Sequence, residues 1–209
     1  MADAQDIATR PATDSYYKKQ RNLSVAQLLL EYLKLEGISK LFGIPGATLA
    51  YLLREIRNQQ RDFEFIVCRH ESGAVYIAHG YSIVTDLPGV VLTGAGPGAT
   101  NALTGALNAE ANGAPVLVIT GEVDQQFFGR GYLQEGVETG PDIDEIYQSA
   151  VAYSAVISDQ ANFPTMVQAA FRQMLSLPRR AAHLSLPTNV AAECVDRGEA
   201  DNKAGTLVS

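Results

Sequence analysis

Apolar positions along this chain follow two alternating rhythms. Runs that are apolar almost throughout occur at residues 38–44, 63–68, 90–93, 115–120, 151–157 and 181–186. Between them lie segments whose apolar residues recur at helical spacing. The first such segment opens at Ser24 with Gln27 three residues on, the arrangement of a capping box. Val25, Leu28, Leu29, Tyr32 and Leu33 then share one face, and Gly37 is a natural stop. Further helices are predicted at about 47–57, 70–84, 97–111, 143–149 and 163–176. Short strands without a polar face, alternating with helices, imply a parallel sheet covered on both sides. The expected fold is α/β: three layers, α/β/α, around a parallel, mostly six-stranded, doubly wound sheet.

Polar ends frame this pattern. Residues 1–22 lack an apolar period and read as a disordered lead-in, 23–191 as a single domain, and 192–209 as a C-terminal tail that the polar stretch after Pro187 leads into. Ligands on such sheets gather at the carboxyl ends of the strands. Four unusual segments fall there: Pro45-Gly46, Glu71, residues 94–101, and a long glycine-punctuated loop at 121–141. Loops of that length are usually functional or mobile. Glu71 stands between an apolar strand and a helix rich in Gly73, Ala74, Ala78 and Gly80. An apolar setting disfavours the charged carboxylate, which makes Glu71 a candidate acid/base. The plainer reading is that it complements the positive end of a helix dipole.

Composition narrows the function. The formal net charge is -7, and no lysine/arginine cluster stands out beyond pairs such as Arg179-Arg180. Nucleic acid and anionic membranes are therefore not expected partners. No apolar run is long enough to span a bilayer, and the first 21 residues do not resemble a signal peptide, so a cytoplasmic, reduced protein is expected. Cys68 and Cys194 are too few for a disulfide framework; Cys68 reads as a core thiol. The spacings of His70, His79 and His183 suggest no metal site, and His183 reads as a structural residue within a strand. Gly94-x-Gly96-x-x-Ala99 fits a dinucleotide fingerprint, with Glu122 as a late acidic partner. Against that reading, Pro97 removes an N–H from the turn, and the motif does not follow the first strand. A tight strand–helix turn would explain the same glycines.

Taken together, the motifs resemble a known family. Phe42-Gly43-Ile44-Pro45-Gly46-Ala47, Arg69-His70-Glu71-x-Gly73-Ala74 through Gly80-Tyr81, Gly96-Pro97-Gly98-Ala99-Thr100-Asn101, Pro115-x-x-x-Ile119-Thr120-Gly121 and Gln134-Glu135 are similar in order and spacing to the pyrimidine-binding domain of thiamine-diphosphate-dependent enzymes. The acetolactate synthase, benzaldehyde lyase and oxalyl-CoA decarboxylase group is the nearest in pattern. The resemblance implies that Glu71 hydrogen-bonds N1′ of the cofactor's aminopyrimidine and favours the tautomer that takes the thiazolium proton. It implies catalytic roles for Glu71 and Gln134, and cofactor contacts from Ile44, Pro45, Gly46, Glu71, Pro97 and Asn101, with no metal ligand in this chain. The substrates implied are a 2-oxo acid and an aldehyde or ketone acceptor. Gly94-Ala95 replaces a frequent Thr-Ser, and Tyr147 stands where acetolactate synthases carry a lysine. No Gly-Asp-Gly…Asn segment for magnesium and diphosphate is present. The expectation is a split enzyme, a hetero-oligomer of α2β2 or similar type, whose second subunit holds Mg2+ and the diphosphate. A non-catalytic assembly or regulatory subunit is the alternative, and a fragment of a longer enzyme another. Small residues at 99–111 are expected to serve helix contact across an interface, and Phe127, Phe128 and Tyr132 are possible pocket walls.

Overall fold

A computed structural model describes residues 22–137 and 142–196. Six parallel strands form one sheet: β2 (Lys40–Gly43), β3 (Glu64–Val67), β4 (Gly89–Thr93), β5 (Val116–Glu122), β6 (Tyr153–Val156) and β7 (Ala181–Pro187), in the spatial order β3-β2-β4-β5-β7-β6. The helices are α1 (Val25–Leu35), α2 (Ala50–Asn58), α3 (Glu71–Thr85), α4 (Pro97–Ala111), α5 (Ile143–Gln148), α6 (Phe163–Leu175) and α7 (Thr188–Ala192). The expected three-layer architecture is thus present, and the reason is visible in burial. β4, β5 and β7 are buried at every position because helices cover both faces.

One core lies under α1, α2, α6 and α7, built on Leu29, Leu33, Leu52, Phe163 and Phe171 against Leu92, Leu117 and Leu184. The other lies under α3, α4 and α5 and is made of smaller groups: Ala74, Val75, Ala99, Ala102 and Ala106 against Val91 and Val118. Those alanines are wholly buried. Ala99, Ala102, Gly105, Ala106 and Ala109 therefore face inward, against α3 and the sheet and not toward an interface as expected, while Ala111 is exposed. A Cβ on Gly105 would lie 2.5 Å from the Val75 Cβ, so α3 and α4 approach as closely as glycine allows.

The capping box at the start of α1 is complete: Gln27 N–H donates to Ser24 Oγ at 3.2 Å, and Ser24 N–H donates to the Gln27 side chain at 3.0 Å. Two differences from the sequence pattern concern the ends. The pattern predicts a tail from Pro187, whereas α7 and a strand, β8 (Cys194–Asp196), follow it. β8 pairs antiparallel with β1 (Asn22–Ser24), joining the two ends of the described domain. The pairing spans the whole domain in sequence, and periodicity reports only local order. The disordered lead-in expected for 1–22 falls, apart from Asn22, outside the described residues.

Candidate functional site

The chain runs from β2 outward to β3, then returns across β2 to β4. The strand order reverses between β2 and β4, and a crevice at such a switch point is the usual ligand position in open α/β sheets. The carboxyl ends of four neighbouring strands, β3, β2, β4 and β5, carry every residue expected at the site.

Glu71 is the first residue of α3. His70 caps the helix in extended conformation, its Nδ1 accepting from Ser72 N–H at 3.3 Å. This places the Glu71 carboxylate beside the positive helix end. Its partner comes from the next helix: Asn101 Nδ2 donates to Glu71 Oε2 at 3.1 Å. The sequence suggested an apolar enclosure for Glu71, but this chain leaves it only partly buried and Asn101 exposed. The carboxylate therefore lies on an open rim.

Gly98 completes the cradle. A Cβ there would meet Thr93 Oγ1 at 2.8 Å and Glu71 Oε1 at 3.6 Å. Only a glycine lets the first turn of α4 come this close to the buried Thr93 and to the carboxylate. Gly96 before it has φ of +51°, and a Cβ would lie 2.7 Å from the Gln134 carbonyl oxygen. The loop that follows β5, residues 123–137, thus lies directly on the start of α4. Gln134 itself has φ of +62° and is exposed, with Pro97 exposed beside the same turn.

Ile44 N–H donates to the Leu92 carbonyl at 3.1 Å, extending the β2–β4 ladder by one bond. Pro45 is exposed beyond it, and Gly46 packs on the Gly94 backbone. The fold therefore brings Ile44, Pro45 and Gly46 to the turn containing Pro97. It brings Glu71 to Asn101, and Gln134 to Gly96. Two further residues stand here that the motifs do not single out for this site: Thr93, wholly buried under Gly98, and Glu122, for which the sequence pattern offers only a dinucleotide role.

Glu122 ends β5 and is almost wholly buried. Its Oε1 accepts from Val123 N–H at 2.8 Å and from Gly136 N–H at 3.4 Å. Burial pushes its carboxyl above the usual range, against these two backbone donors; negative charge on Glu135 and Asp142 pushes the same way. A dinucleotide phosphate has little place here, because the Gln134 backbone already covers Gly96. Phe127 and Tyr132 stack face to face, centroids 4.4 Å apart, so these rings are at least partly engaged with each other. Cys68 is partly buried, its Sγ near the Ile66 carbonyl, and not fully within the core. Among the described residues no group of three or more His, Cys, Asp or Glu could hold a metal ion, and no helix is long and apolar enough to cross a membrane.

The family model described as thiamine pyrophosphate enzyme, N-terminal TPP binding domain, matches residues 23–143. The chain belongs to this family. The match includes all four strand ends just described. Among curated relatives, acetolactate synthase of Bacillus subtilis is 34% identical over 168 residues, 80% of this chain and 28% of that protein. The acetolactate synthase large subunit of Lactococcus lactis is 33% identical over 174 residues, 83% of this chain and 29% of that protein. The mitochondrial acetolactate synthase catalytic subunit of Saccharomyces cerevisiae is 29% identical over 189 residues, 90% of this chain and 26% of that protein. The chain is thus an acetolactate-synthase-like thiamine pyrophosphate enzyme domain that spans under a third of the length of these relatives.

Proposed function

We propose that this chain supplies the pyrimidine half of a thiamine-diphosphate site, in a decarboxylase or carboligase acting on a 2-oxo acid, and that a partner subunit supplies the diphosphate and magnesium half. One observation carries the reading: the rim where Asn101 holds the Glu71 carboxylate beside the glycine-only turn at Gly98. A planar aminopyrimidine fits such a rim. The glycine leaves backbone close to the carboxylate, and the apolar wall that the carboxylate lacks here is left for another chain to provide.

The residues divide the work. Glu71 holds a proton at N1′ of the pyrimidine, and Asn101 keeps the carboxylate aimed at that nitrogen. Ile44, Pro45 and Gly46 bound one side of the ring, Pro97 bounds the other, and Gln134 reaches toward the reacting carbon. When bound, the cofactor supplies the carbon nucleophile that adds to the 2-oxo acid. Partner closure over the rim would exclude water from the carboxylate and the ring it holds.

An exposed apolar face supports a partner. Tyr76, Ile77, Ile83 and Val84 of α3 and Leu107 of α4 are exposed, and nothing lies within 4 Å of a Cβ placed on Gly73 or Gly80. Solvent-exposed apolar groups collected on two neighbouring helices usually mark an interaction surface.

The test is Glu71→Gln in the chain reconstituted with the companion polypeptide that co-purifies with it from native cells. Activity should fall by at least about a hundredfold, with melting temperature unchanged. Full activity in the variant would leave a non-catalytic assembly role. A chain that recovers no companion carrying diphosphate and magnesium ligands would overturn the split arrangement.

A further inference from the structure

Several buried or half-buried polar groups lie outside the roles just given. His183 is tied to Thr120 and Ser154, and His79 to Asn108; these bonds hold the sheet and helices together and point to no ligand. Glu122 is different, because its carboxyl joins the sheet edge to the loop that carries Gln134.

We propose that Glu122 is a positioning residue for the site: its buried carboxyl seats the 129–136 segment on the start of α4 and so sets where Gln134 stands. The proposal rests on the assignment of Gln134 to the site. The geometry is a short chain of contacts. Glu122 Oε1 takes the Gly136 N–H, while the Gly136 carbonyl accepts from Ile143 N–H at 2.8 Å. Gly136 is thereby wedged between three neighbours. A Cβ on it would meet Ile143 Cγ1 at 2.6 Å, Glu122 Oε2 at 3.0 Å and Gly96 N at 3.4 Å. Two residues earlier, the Gln134 carbonyl lies against Gly96. The segment before it is closed by Glu135, a second buried carboxyl, which accepts from Gly129 N–H and from Tyr132 N–H, the latter at 3.1 Å. Glu135 therefore folds the loop on itself, and Glu122 attaches the folded loop to the sheet.

A carboxyl is costly to bury, and a small apolar side chain at 122 would avoid that cost. What the carboxyl supplies is an acceptor for an otherwise unpaired backbone donor at Gly136. An amide oxygen can do the same, so Glu122→Gln should keep the seat and Glu122→Ala should lose it.

The experiment is amide hydrogen exchange, read by mass spectrometry, on the full chain without cofactor. In Glu122→Ala, exchange across 129–136 should speed up about tenfold, while α1 and α6 on the opposite face stay as in the parent. Glu122→Gln should remain within about twofold of the parent. Gly136→Ala, whose methyl would crowd Ile143, Glu122 and Gly96 and so displace the loop with the Glu122 carboxyl retained, should reproduce the local loosening. The inference is overturned if Glu122→Ala leaves 129–136 unchanged, if α1 and α6 loosen equally, or if Glu122→Gln loosens the loop as much as alanine does. These outcomes do not depend on cofactor, so they separate from failure of the Glu71→Gln test.

Discussion

At the scale of single residues, the site depends on how few atoms separate Glu71, Gly98, Thr93 and Asn101. Gly98→Ala would set a methyl 2.8 Å from Thr93 Oγ1 and crowd the Glu71 carboxylate. Thr93 is buried and cannot retreat, so denaturant unfolding should show a loss of about 1–3 kcal/mol. Asn101→Ala makes a useful contrast. Asn101 is exposed, and its removal should change stability by no more than about 0.5 kcal/mol. Activity of the reconstituted complex should nonetheless fall about tenfold or more, because the Glu71 carboxylate loses its donor. Equal losses in stability and activity would argue against an orienting role. Glu122 gives a pH test. Its carboxyl titrates above the usual range when folded, so the folded chain binds more protons than the unfolded one across that window. Its contribution to stability is greatest at low pH and declines as pH rises through the raised value. The melting temperature of the parent, relative to Glu122→Gln, should therefore increase from pH 7 to pH 5.

At the scale of elements, α3 and α4 decide what the site can become. Their inner faces are alanine and glycine, fitted so closely that Gly105→Ala would drive a methyl into Val75 and should cost about 1–3 kcal/mol in denaturant unfolding. Their outer faces bear Tyr76, Ile77, Val84 and Leu107 in contact with solvent. Ile77→Glu should leave the unfolding midpoint of the isolated chain within experimental scatter while weakening association with the companion subunit proposed above, as sedimentation would show. Unchanged association would move the partner surface elsewhere. The apolar spacing of α1 makes its buried face readable from the residues alone, because one helix face packs on one sheet. The small residues of α4 are equally plain in the sequence, but their role is not. Small residues suit contact with any close neighbour, and only the fold shows that α3 and the sheet are the neighbours.

Across the whole molecule, the sheet carries a buried polar line that sets its response to acid. His183 on β7 bonds Thr120 Oγ1 on β5 at 3.0 Å and Ser154 Oγ on β6 at 2.7 Å, and it stacks on Tyr147. Burial lowers its pKa to about 3. The unfolded chain therefore binds more protons between about pH 3 and the ordinary histidine value of 6.5. Stability from neutral His183 is complete above that window and is lost as pH falls through it. Urea midpoints of the parent, relative to His183→Gln, should drop between pH 7 and pH 5, and His183→Gln should be less stable than the parent at pH 7.

The amino-acid sequence determined the alternation of strands and helices, the parallel sheet, and the arrival of Pro45, Glu71, Pro97 and Gln134 at strand ends. Each of these follows from local periodicity, from turn chemistry, or from the resemblance of ordered motifs. Tertiary structure alone decided the remainder. The reversal between β2 and β4, the bond from Asn101 to Glu71, the closure of β1 on β8 and the seat of Gly136 on Glu122 all join residues distant in the chain. The partial exposure of Glu71 belongs with them. A carboxylate between an apolar strand and small helical residues reads as enclosed, but enclosure depends on which surfaces the folded chain brings over it, and this one leaves that rim open.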